Sequence, residues 1–416
     1  PPKLTWRSFR YLQITGVSSA PALDDITLQE MTSLPQQTMT FTSRNGNLNA
    51  MALVSEQTMR CNSIEHPSDC PQRDERFGWT GDAQFYAGTA AYQADTVLFL
   101  RNYEKAIVAG QTKEGAYPDM APANGGGAGN PGWGDAGVTI PWLLYTRYGD
   151  LQTVLKYLDS MCRYADYLAS ASDGYIYTKE DSNYGDFNAV TETPKPIVHT
   201  AECYHVTELV SQMAAAAGQK DLADKYAKEA EQFRTAFVQK FIQPDGAMEC
   251  WTQGAYAMAL AYGLYPAKLQ ASGAADLNTC VNAAGFHPGT GYASTPVLLQ
   301  TLAENGYGAS AYQMMDMTNA PSWLYPVSHF GATTMPENFE KYQSEADGTY
   351  RVQGSLNHPA LASAASFLYD TVLGIHPDFT QDGFFRISPV TDPATGDASG
   401  SFESVYGTVS SGWKYV

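Results

Sequence analysis

Apolar residues recur at intervals of three and four positions along most of this chain, and this period constrains the fold more than any other feature. In one run they form a single stripe of a helix, made of Leu151, Val154, Leu155, Leu158, Met161, Cys162, Ala165 and Leu168. The run 222–241 follows the same rule, with lysines and glutamates on its other face. Such stripes indicate amphipathic helices that bury one face against a core.

The same pattern predicts about eleven helices, separated by loops rich in glycine, proline and asparagine, and no interior strand. The predicted helices span 46–59, 82–109, 137–148, 151–168, 198–217, 222–241, 252–264, 274–283, 293–305, 308–318 and 358–373. A helical solenoid would show a fixed repeat of about 34–47 residues, which we do not find. Irregular spacing and long polar loops instead predict a mainly α fold, the (α/α)6 barrel, whose loops build a pocket at one end.

Short aromatic and β-branched runs near both ends predict strands, at 6–14, 384–390 and 402–416. We interpret these runs as remnants of flanking β-sandwich domains of a larger protein. The predicted division is therefore in three parts. Residues 1–37 hold the end of an N-terminal β-domain and a linker, 38–379 form the barrel catalytic domain, and 380–416 begin a C-terminal β-sandwich domain.

The charge balance excludes two classes of partner. With 43 acidic and 25 basic residues the formal net charge is -18, which repels nucleic acid and anionic membranes. No apolar run approaches the length of about 20 residues that crosses a bilayer. A neutral ligand fits better, and the aromatic residues in the predicted loops are typical of sugar sites. The sequence indicates neither a cellular compartment nor an oligomeric state.

The six cysteines show no Cys-x-x-Cys pair and no cysteine–histidine spacing of the zinc type. No segment has the pattern of a calcium loop either. We therefore expect no structural metal and no cofactor. The short separation of Cys61 and Cys70 leaves a disulfide between them open.

The densest chemistry lies at 69–82, where six ionisable side chains share a segment with one proline and two glycines. A solvated loop of local salt bridges is the ordinary reading of such mixed charges. Phe77 and Trp79 favour a sugar site instead, because an aromatic ring packs on the apolar face of a sugar while neighbouring carboxylates hydrogen-bond its hydroxyls. Glycoside hydrolysis needs one protonated and one ionised carboxyl, and crowding of like charges keeps one of them protonated. The residues alone do not decide among Asp69, Asp74, Glu75 and Asp82.

The run DCPQRDERFGWTGD at these positions resembles the signature of the bacterial and fungal α-L-rhamnosidases of glycoside hydrolase family 78. A motif of this length is a specific signal. The resemblance implies that Glu75 is the general acid. It also implies that four neighbours contact bound rhamnose, namely Asp69, Arg73, Trp79 and Asp82.

Two further segments resemble the same family. Residues 132–136, GWGDA, are similar to a family segment whose tryptophan lines the sugar pocket, which implies this role for Trp133. Asp135 is either a second sugar contact or the cap of the following helix. Residues 184–187, YGDF, are similar to a family Gly-Asp-Trp. Phe187 replaces that tryptophan, and its ring can still pack on the sugar's methyl group without the indole N–H.

The partner carboxylate has to come from a distant loop. Residues 331–339, GATTMPENF, resemble the family's GATT-x-Trp-Glu segment, which implies that Glu337 is the general base. Pro336 stands where the family has tryptophan, and Glu340 is an alternative carboxylate. Residues 355–358, SLNH, resemble the family's Ser-Phe-Asn-His, which implies that His358 reaches the sugar.

These resemblances together predict removal of terminal α-L-rhamnose from a glycoside, oligosaccharide or polysaccharide with inversion. Glu75 would protonate the glycosidic oxygen while Glu337 deprotonates a water on the opposite face, with the two carboxyl groups about 6.5–9.5 Å apart. A polysaccharide lyase or another glycosidase on the same toroid is one alternative, and the lyase needs a base and a cation that neutralises a uronate. A catalytically impaired relative that only binds rhamnosides is the other, suggested by Phe187 and Pro336.

Overall fold

Helices dominate the computed structural model, which describes residues 9, 11–179, 184–339, 342–344, 350–352 and 354–416. Twelve α-helices occur in this part of the chain. They are α1 (Gly46–Cys61), α2 (Thr80–Gln93), α3 (Val97–Ala109), α4 (Ala136–Tyr148), α5 (Leu151–Ser170), α6 (Lys195–Ala216), α7 (Lys220–Phe241), α8 (Gln253–Ala261), α9 (Gln270–Ala283), α10 (Thr295–Glu304), α11 (Gly308–Met315) and α12 (Tyr325–Phe330).

Three helical predictions need correction. The helix predicted at 82–109 is two helices, because the chain turns extended at Ala94 before α3 begins. The helix predicted at 358–373 is a 3-10 helix, Ala360–Ala365, followed by a π-helix, Phe367–Val372. We call these two together the final helical segment. The short helix α12 was not predicted, since six residues are too few to show a period.

Six helical segments contact one another in a closed series. Helix α2 contacts α4, α4 contacts α6, α6 contacts α8, α8 contacts α10, α10 contacts the final helical segment, and that segment contacts α2. Helices α7, α9 and α11 pack against α6, α8 and α10 respectively. The helices therefore form a toroid of packed hairpins.

Burial distinguishes the inner from the outer helices of this ring. Helices α6 and α7 each have 22 residues, but α6 buries residues on all of its sides, including the polar His199 and Glu202. Helix α7 buries only one stripe, and its other positions face solvent. A helix that is buried all round belongs in a core, whereas a striped helix covers it. The core consequently lies along the inner helices.

Short strands surround the helices. They are β1 (Met39–Ser43), β2 (Ser63–Ile64), β3 (His66–Pro67), β4 (Ser172–Asp173), β5 (Ile176–Tyr177), β6 (Tyr342–Ser344), β7 (Tyr350–Val352), β8 (Ile375–Pro377), β9 (Phe385–Ile387), β10 (Asp397–Ser404) and β11 (Gly407–Lys414). The prediction of no interior strand is therefore wrong. Pairs such as β2–β3 and β4–β5 have two residues per strand, which is too short for alternation to show in the sequence.

The terminal strands form one antiparallel sheet in the order β1-β10-β11, with Met39 opposite Phe402. Strand β1 lies inside the predicted barrel domain and pairs with β10 of the predicted C-terminal domain, so the sheet joins the two segments. Residues 9 and 11–14, the described part of the first predicted strand, lie outside any strand.

All six cysteines lie among the described residues and are free thiols, so Cys61 and Cys70 are not bridged. Among the described helices, none combines the length and the apolar character needed to cross a membrane.

Candidate active site

A cavity of about 100 Å³ opens where the inner helices begin. Trp79 and Asp82 stand at the start of α2, Trp133 precedes α4, and His358 precedes the final helical segment. The cavity is lined by Arg73, Glu75, Trp79, Asp82, Trp133, Tyr184, Phe187, Tyr292, Glu337 and His358. It therefore brings together both predicted catalytic residues and six of the predicted sugar contacts.

Glu75 is held by side chains of its own segment. Trp79 donates its indole N–H to Oε1 of Glu75 at 2.8 Å, and Nη2 of Arg73 lies 2.6 Å from Oε2. Both partners are within four residues of Glu75, so the local fold of the 69–82 loop orients this carboxyl towards the cavity.

Arg73 links the two predicted catalytic carboxyls. Its Nη1 lies 3.6 Å from Oε2 of Glu337, while Nη2 contacts Glu75. One guanidinium thus reaches two carboxyl groups that are far apart in the chain. Such a planar fork fits this task because its donors point in fixed directions.

One group of possible metal ligands occurs in the described chain. The ligand atoms of Asp69, Cys70 and Glu75 lie within 4.8 Å of one another. Arg73 is already there, since its Nε contacts Sγ of Cys70 at 3.2 Å and its Nη2 contacts Glu75. The guanidinium supplies the positive charge that a metal would bring, and burial raises the pKa of the Cys70 thiol to about 12. These residues fit an arginine-centred cluster better than a metal site.

Glu337 is held mainly through its main chain. Its N–H donates to the carbonyl of Ser355 at 2.9 Å, and its own carbonyl accepts from the Tyr292 hydroxyl at 3.0 Å and from Asn188 at 3.3 Å. Its carboxylate Oε2 accepts the Ser355 N–H at 3.2 Å. The base loop is therefore fixed by residues distant in the sequence.

Pro336, which replaces the family's tryptophan, leaves this loop bonded. It is buried, and the N–H groups on either side both have partners: Met335 donates to the Thr58 hydroxyl at 2.8 Å and Glu337 to Ser355. The N–H that proline lacks is thus not needed to hold Glu337. The alternative carboxylate Glu340 lies outside the described residues.

His358 and Asp82 form a buried pair beside Glu337. Nε2 of His358 lies 2.9 Å from Oδ1 of Asp82, and both side chains are almost fully buried. Burial lowers the pKa of His358, but the negative charges of Asp82, Asp69 and Glu337 outweigh burial and raise it overall. The imidazole is therefore a charged hydrogen-bond donor over a wider pH range than an ordinary histidine.

Aromatic rings line the same cavity. Trp133 and Tyr184 are stacked, with ring centroids 4.0 Å apart and an angle of 20° between planes. Phe187 meets Trp133 edge-on at 6.0 Å and Tyr292 at 5.4 Å. A cavity with both charged groups and aromatic rings can hydrogen-bond the hydroxyls of a sugar while packing against its C–H face.

Two predicted sugar contacts lie outside the cavity. Asp69 is 1% exposed, accepts the Phe77 N–H at 2.8 Å through Oδ1, and has its Oδ2 3.8 Å from Arg73. Burial raises its pKa to about 6. Asp135 is fully buried and accepts from the Gly132 N–H and, at 2.7 Å, from the Tyr164 hydroxyl. Neither carboxyl is among the residues that line the cavity: Asp69 lies near Arg73, and Asp135 binds the N–H of Gly132, next to Trp133. Their predicted contacts with the sugar stay predictions.

Tyr184 and Tyr292 line the cavity and were not among the predicted site residues. Tyr184 is the first residue of the segment 184–187 that was singled out, so its position was a usable signal. Tyr292 lies in the turn before α10, where Asp186 accepts the N–H groups of Gly291, Ala293 and Ser294 at 2.9–3.1 Å. No local pattern marks it, because its position depends on the bonds of its turn to Asp186 and on its own bond to the Glu337 carbonyl.

Residues 36–372 match the family described as the bacterial alpha-L-rhamnosidase 6 hairpin glycosidase domain. An alpha-L-rhamnosidase of Streptomyces avermitilis is 35% identical over 415 residues, covering 99% of this chain and 40% of that protein. Another, from Formosa agariphila, is 29% identical over 430 residues and covers 99% of this chain and 46% of the relative. The chain therefore spans less than half of the length of these relatives.

Solved structures agree with the sequence comparison. The Streptomyces avermitilis α-L-rhamnosidase complexed with L-rhamnose superposes with a TM-score of 0.87 at 35% identity, over 92% of this chain and 37% of that one. An α-L-rhamnosidase from Aspergillus terreus gives 0.84 at 28% identity, over 91% of this chain and 45% of that one.

Proposed function

The chain belongs to the bacterial α-L-rhamnosidase six-hairpin glycosidase family, and from this premise we propose that it removes terminal, non-reducing α-L-rhamnose with inversion of configuration. The substrate is a rhamnose-containing glycoside, oligosaccharide or polysaccharide. One observation carries the proposal: Glu75 and Glu337, from distant segments, share Arg73 at one cavity that aromatic rings also line.

The proposed fold is an (α/α)6 barrel, supported by the closed series of contacts among α2, α4, α6, α8, α10 and the final helical segment. We keep the division at 1–37, 38–379 and 380–416 as a proposal. The pairing of β1 with β10 adds one contact across the second boundary.

In the proposed mechanism Glu75 donates a proton to the glycosidic oxygen and Glu337 removes one from a water on the opposite face of the sugar. The bond between the anomeric carbon and the leaving oxygen breaks as the water oxygen bonds that carbon. Inverting pairs stand roughly 6.5–9.5 Å apart to admit the water. The shared contact with one guanidinium is compatible with this separation.

The remaining cavity residues orient the sugar. Asp82, His358 and Arg73 offer hydrogen bonds to its hydroxyls, while Trp79, Trp133 and Phe187 pack against its C–H groups and methyl. Asp69 and Asp135 remain candidate sugar contacts, and they also support the cavity: Asp69 lies 3.8 Å from Arg73, and Asp135 binds the N–H of Gly132 beside Trp133. Neither catalytic step needs a cofactor.

The two alternatives are less well supported. A lyase needs a cation that is free to pair with a uronate, whereas Arg73 already lies near Asp69, Glu75 and Glu337. A non-catalytic relative is suggested by Phe187 and Pro336. Phe187 still lines the cavity, and Pro336 leaves the Glu337 loop bonded.

The test is hydrolysis of p-nitrophenyl α-L-rhamnoside by wild type, Glu75→Gln and Glu337→Gln, with NMR of the first-formed anomer. We expect β-L-rhamnose as first product and a loss of about a hundredfold or more in kcat for both variants. Glu249→Gln, an exposed acid elsewhere, is the matched control. First formation of the α anomer would contradict inversion, and an inert wild type that binds rhamnose would support the non-catalytic alternative.

A further inference from the structure

A second cavity, of about 240 Å³, lies at the opposite end of the helical ring. Ala91 and Ala94 stand at the end of α2, and Arg147 and Tyr148 at the end of α4, whereas the candidate active site lies where these helices begin. The 14 residues of α2 separate the two by about 20 Å. We call this second space the distal cavity.

The distal cavity has polar groups of both signs. The guanidinium carbon of Arg147 lies 4.2 Å from the centroid of the Tyr92 ring, and this cationic side chain, whose nitrogens are all donors, lines the cavity. Asp95 and Glu403 line the same space and are exposed acceptors. One cation with two carboxylates does not favour an anion. It does favour hydroxyl groups, which both donate and accept.

An aromatic platform adjoins the distal cavity through Phe379, which lines it. The ring of Tyr406 lies parallel to Phe384 at 4.7 Å and to Phe379 at 5.3 Å, with interplanar angles of 7° and 19°. Tyr406 is nonetheless 66% exposed and its neighbour Val405 75% exposed. Two phenyl rings therefore fix the orientation of a tyrosine ring that remains open to solvent.

We propose that the distal cavity and the face of Tyr406 form a second carbohydrate-binding site, which holds a neutral sugar unit of a saccharide chain. A rigid aromatic ring beside a few convergent donors and acceptors is the arrangement that binds a sugar. The sugar class follows from the chemistry of the cavity. Its link to the cleaved substrate rests on the proposed function, since the site would hold the same polymer away from the cut end.

The experiment measures binding by affinity electrophoresis in gels that contain a soluble polysaccharide with neutral α-L-rhamnosyl side chains. The parent is Glu75→Gln, so that the polymer is not degraded during the run. We expect the added change Tyr406→Ala to weaken binding by about tenfold or more, as loss of an aromatic anchor does. Arg147→Gln should weaken it as well.

Trp251→Ala removes an exposed aromatic ring away from the distal cavity and should leave binding unchanged. In the otherwise wild-type chain, Tyr406→Ala should leave hydrolysis of p-nitrophenyl α-L-rhamnoside unchanged and lower kcat/KM on the polymer. Because Tyr406 is a surface residue, its variant tests the site even where Arg147→Gln fails to fold.

Three results would overturn the proposal: full affinity in Tyr406→Ala, equal retention by a polyuronate, or wild-type dimers that Tyr406→Ala converts to monomers. The last would assign the platform to contact between two copies. If polymer binding depends on Tyr406 but the chain does not hydrolyse rhamnosides, the second site is supported and the proposed function is refuted. If the chain hydrolyses rhamnosides but polymer binding does not depend on Tyr406, the proposed function is supported and the second site is refuted.

Discussion

The two segments that supply the candidate acid and base are held in different ways. Glu75 is oriented by Trp79 and Arg73, which lie within four residues of it. Glu337 is fixed through its backbone by Tyr292, Asn188 and Ser355, which are distant in the sequence. The acid is therefore placed by local side chains, and the base by tertiary packing of its loop.

This difference fits the needs of an inverting site. A general acid must be close to one oxygen, whereas the base must keep a fixed distance that admits a water. A loop held by main-chain hydrogen bonds can keep that distance when a neighbouring side chain differs, as Pro336 differs from the family's tryptophan. Arg73 contacts both carboxyls, so its substitution is the first test of this comparison.

Arg73→Met should have the largest effect, a fall in kcat of about a hundredfold or more. It removes the guanidinium that contacts both carboxyl groups and orients them. Steady-state kinetics on p-nitrophenyl α-L-rhamnoside measures it. Arg60→Met, which breaks the partly exposed pair with Glu30, is the control and should leave kcat unchanged. A rise in KM alone would mean that Arg73 only binds substrate.

Trp79→Phe tests only the contacts that orient Glu75. It keeps an aromatic ring but removes the N–H that donates to Glu75, so we expect kcat to fall by about tenfold. Trp413→Phe removes an indole bond to the Val372 carbonyl at the same 2.8 Å, remote from the cavity, and should not change kcat. Equal losses in both variants would show that the effect is general destabilisation.

Tyr292→Phe tests the contacts that hold the loop of Glu337. It removes a neutral hydrogen bond to the Glu337 carbonyl, and a fall in kcat of about fivefold with little change in KM is expected. Tyr265→Phe removes a similar bond, to the Gly246 carbonyl at 2.9 Å, and is the matched control. If Tyr292→Phe raised KM and spared kcat, its ring would be a substrate contact and the base loop would not depend on it.

The same contrast explains what could be predicted from the sequence. Glu75, Trp79 and Arg73 belong to one contiguous motif, so the candidate acid was predicted together with its neighbours. Glu337 was predicted from its own motif, but Tyr292 was not, because its contact joins residues 45 positions apart. Burial was the other limit. Asp69 and Asp135 are 1% and 0% exposed, and the sequence pattern does not show that packing buries them so deeply.

The fold shows a parallel pattern. The stripe of α7 was visible because one face is polar, and its predicted range, 222–241, agrees closely with the observed Lys220–Phe241. The break between α2 and α3 was not visible, since apolar residues continue through Ala94 while the backbone turns extended. A period reports which residues share a face, but it does not report where one helix ends within a uniformly buried stretch.

The smallest expected effect is the pH dependence of stability that comes from the His358–Asp82 pair, which lines the same cavity as Glu75 and Glu337. The folded-state pKa of His358 is raised above its ordinary value, so the pair stabilises the protein fully below about pH 6.5. That contribution is lost as pH rises through the raised pKa. The melting temperatures of wild type and His358→Gln, measured from below about pH 6.5 upward, should therefore converge at high pH. A stability difference that grows with pH would show that the imidazole is neutral in the folded protein.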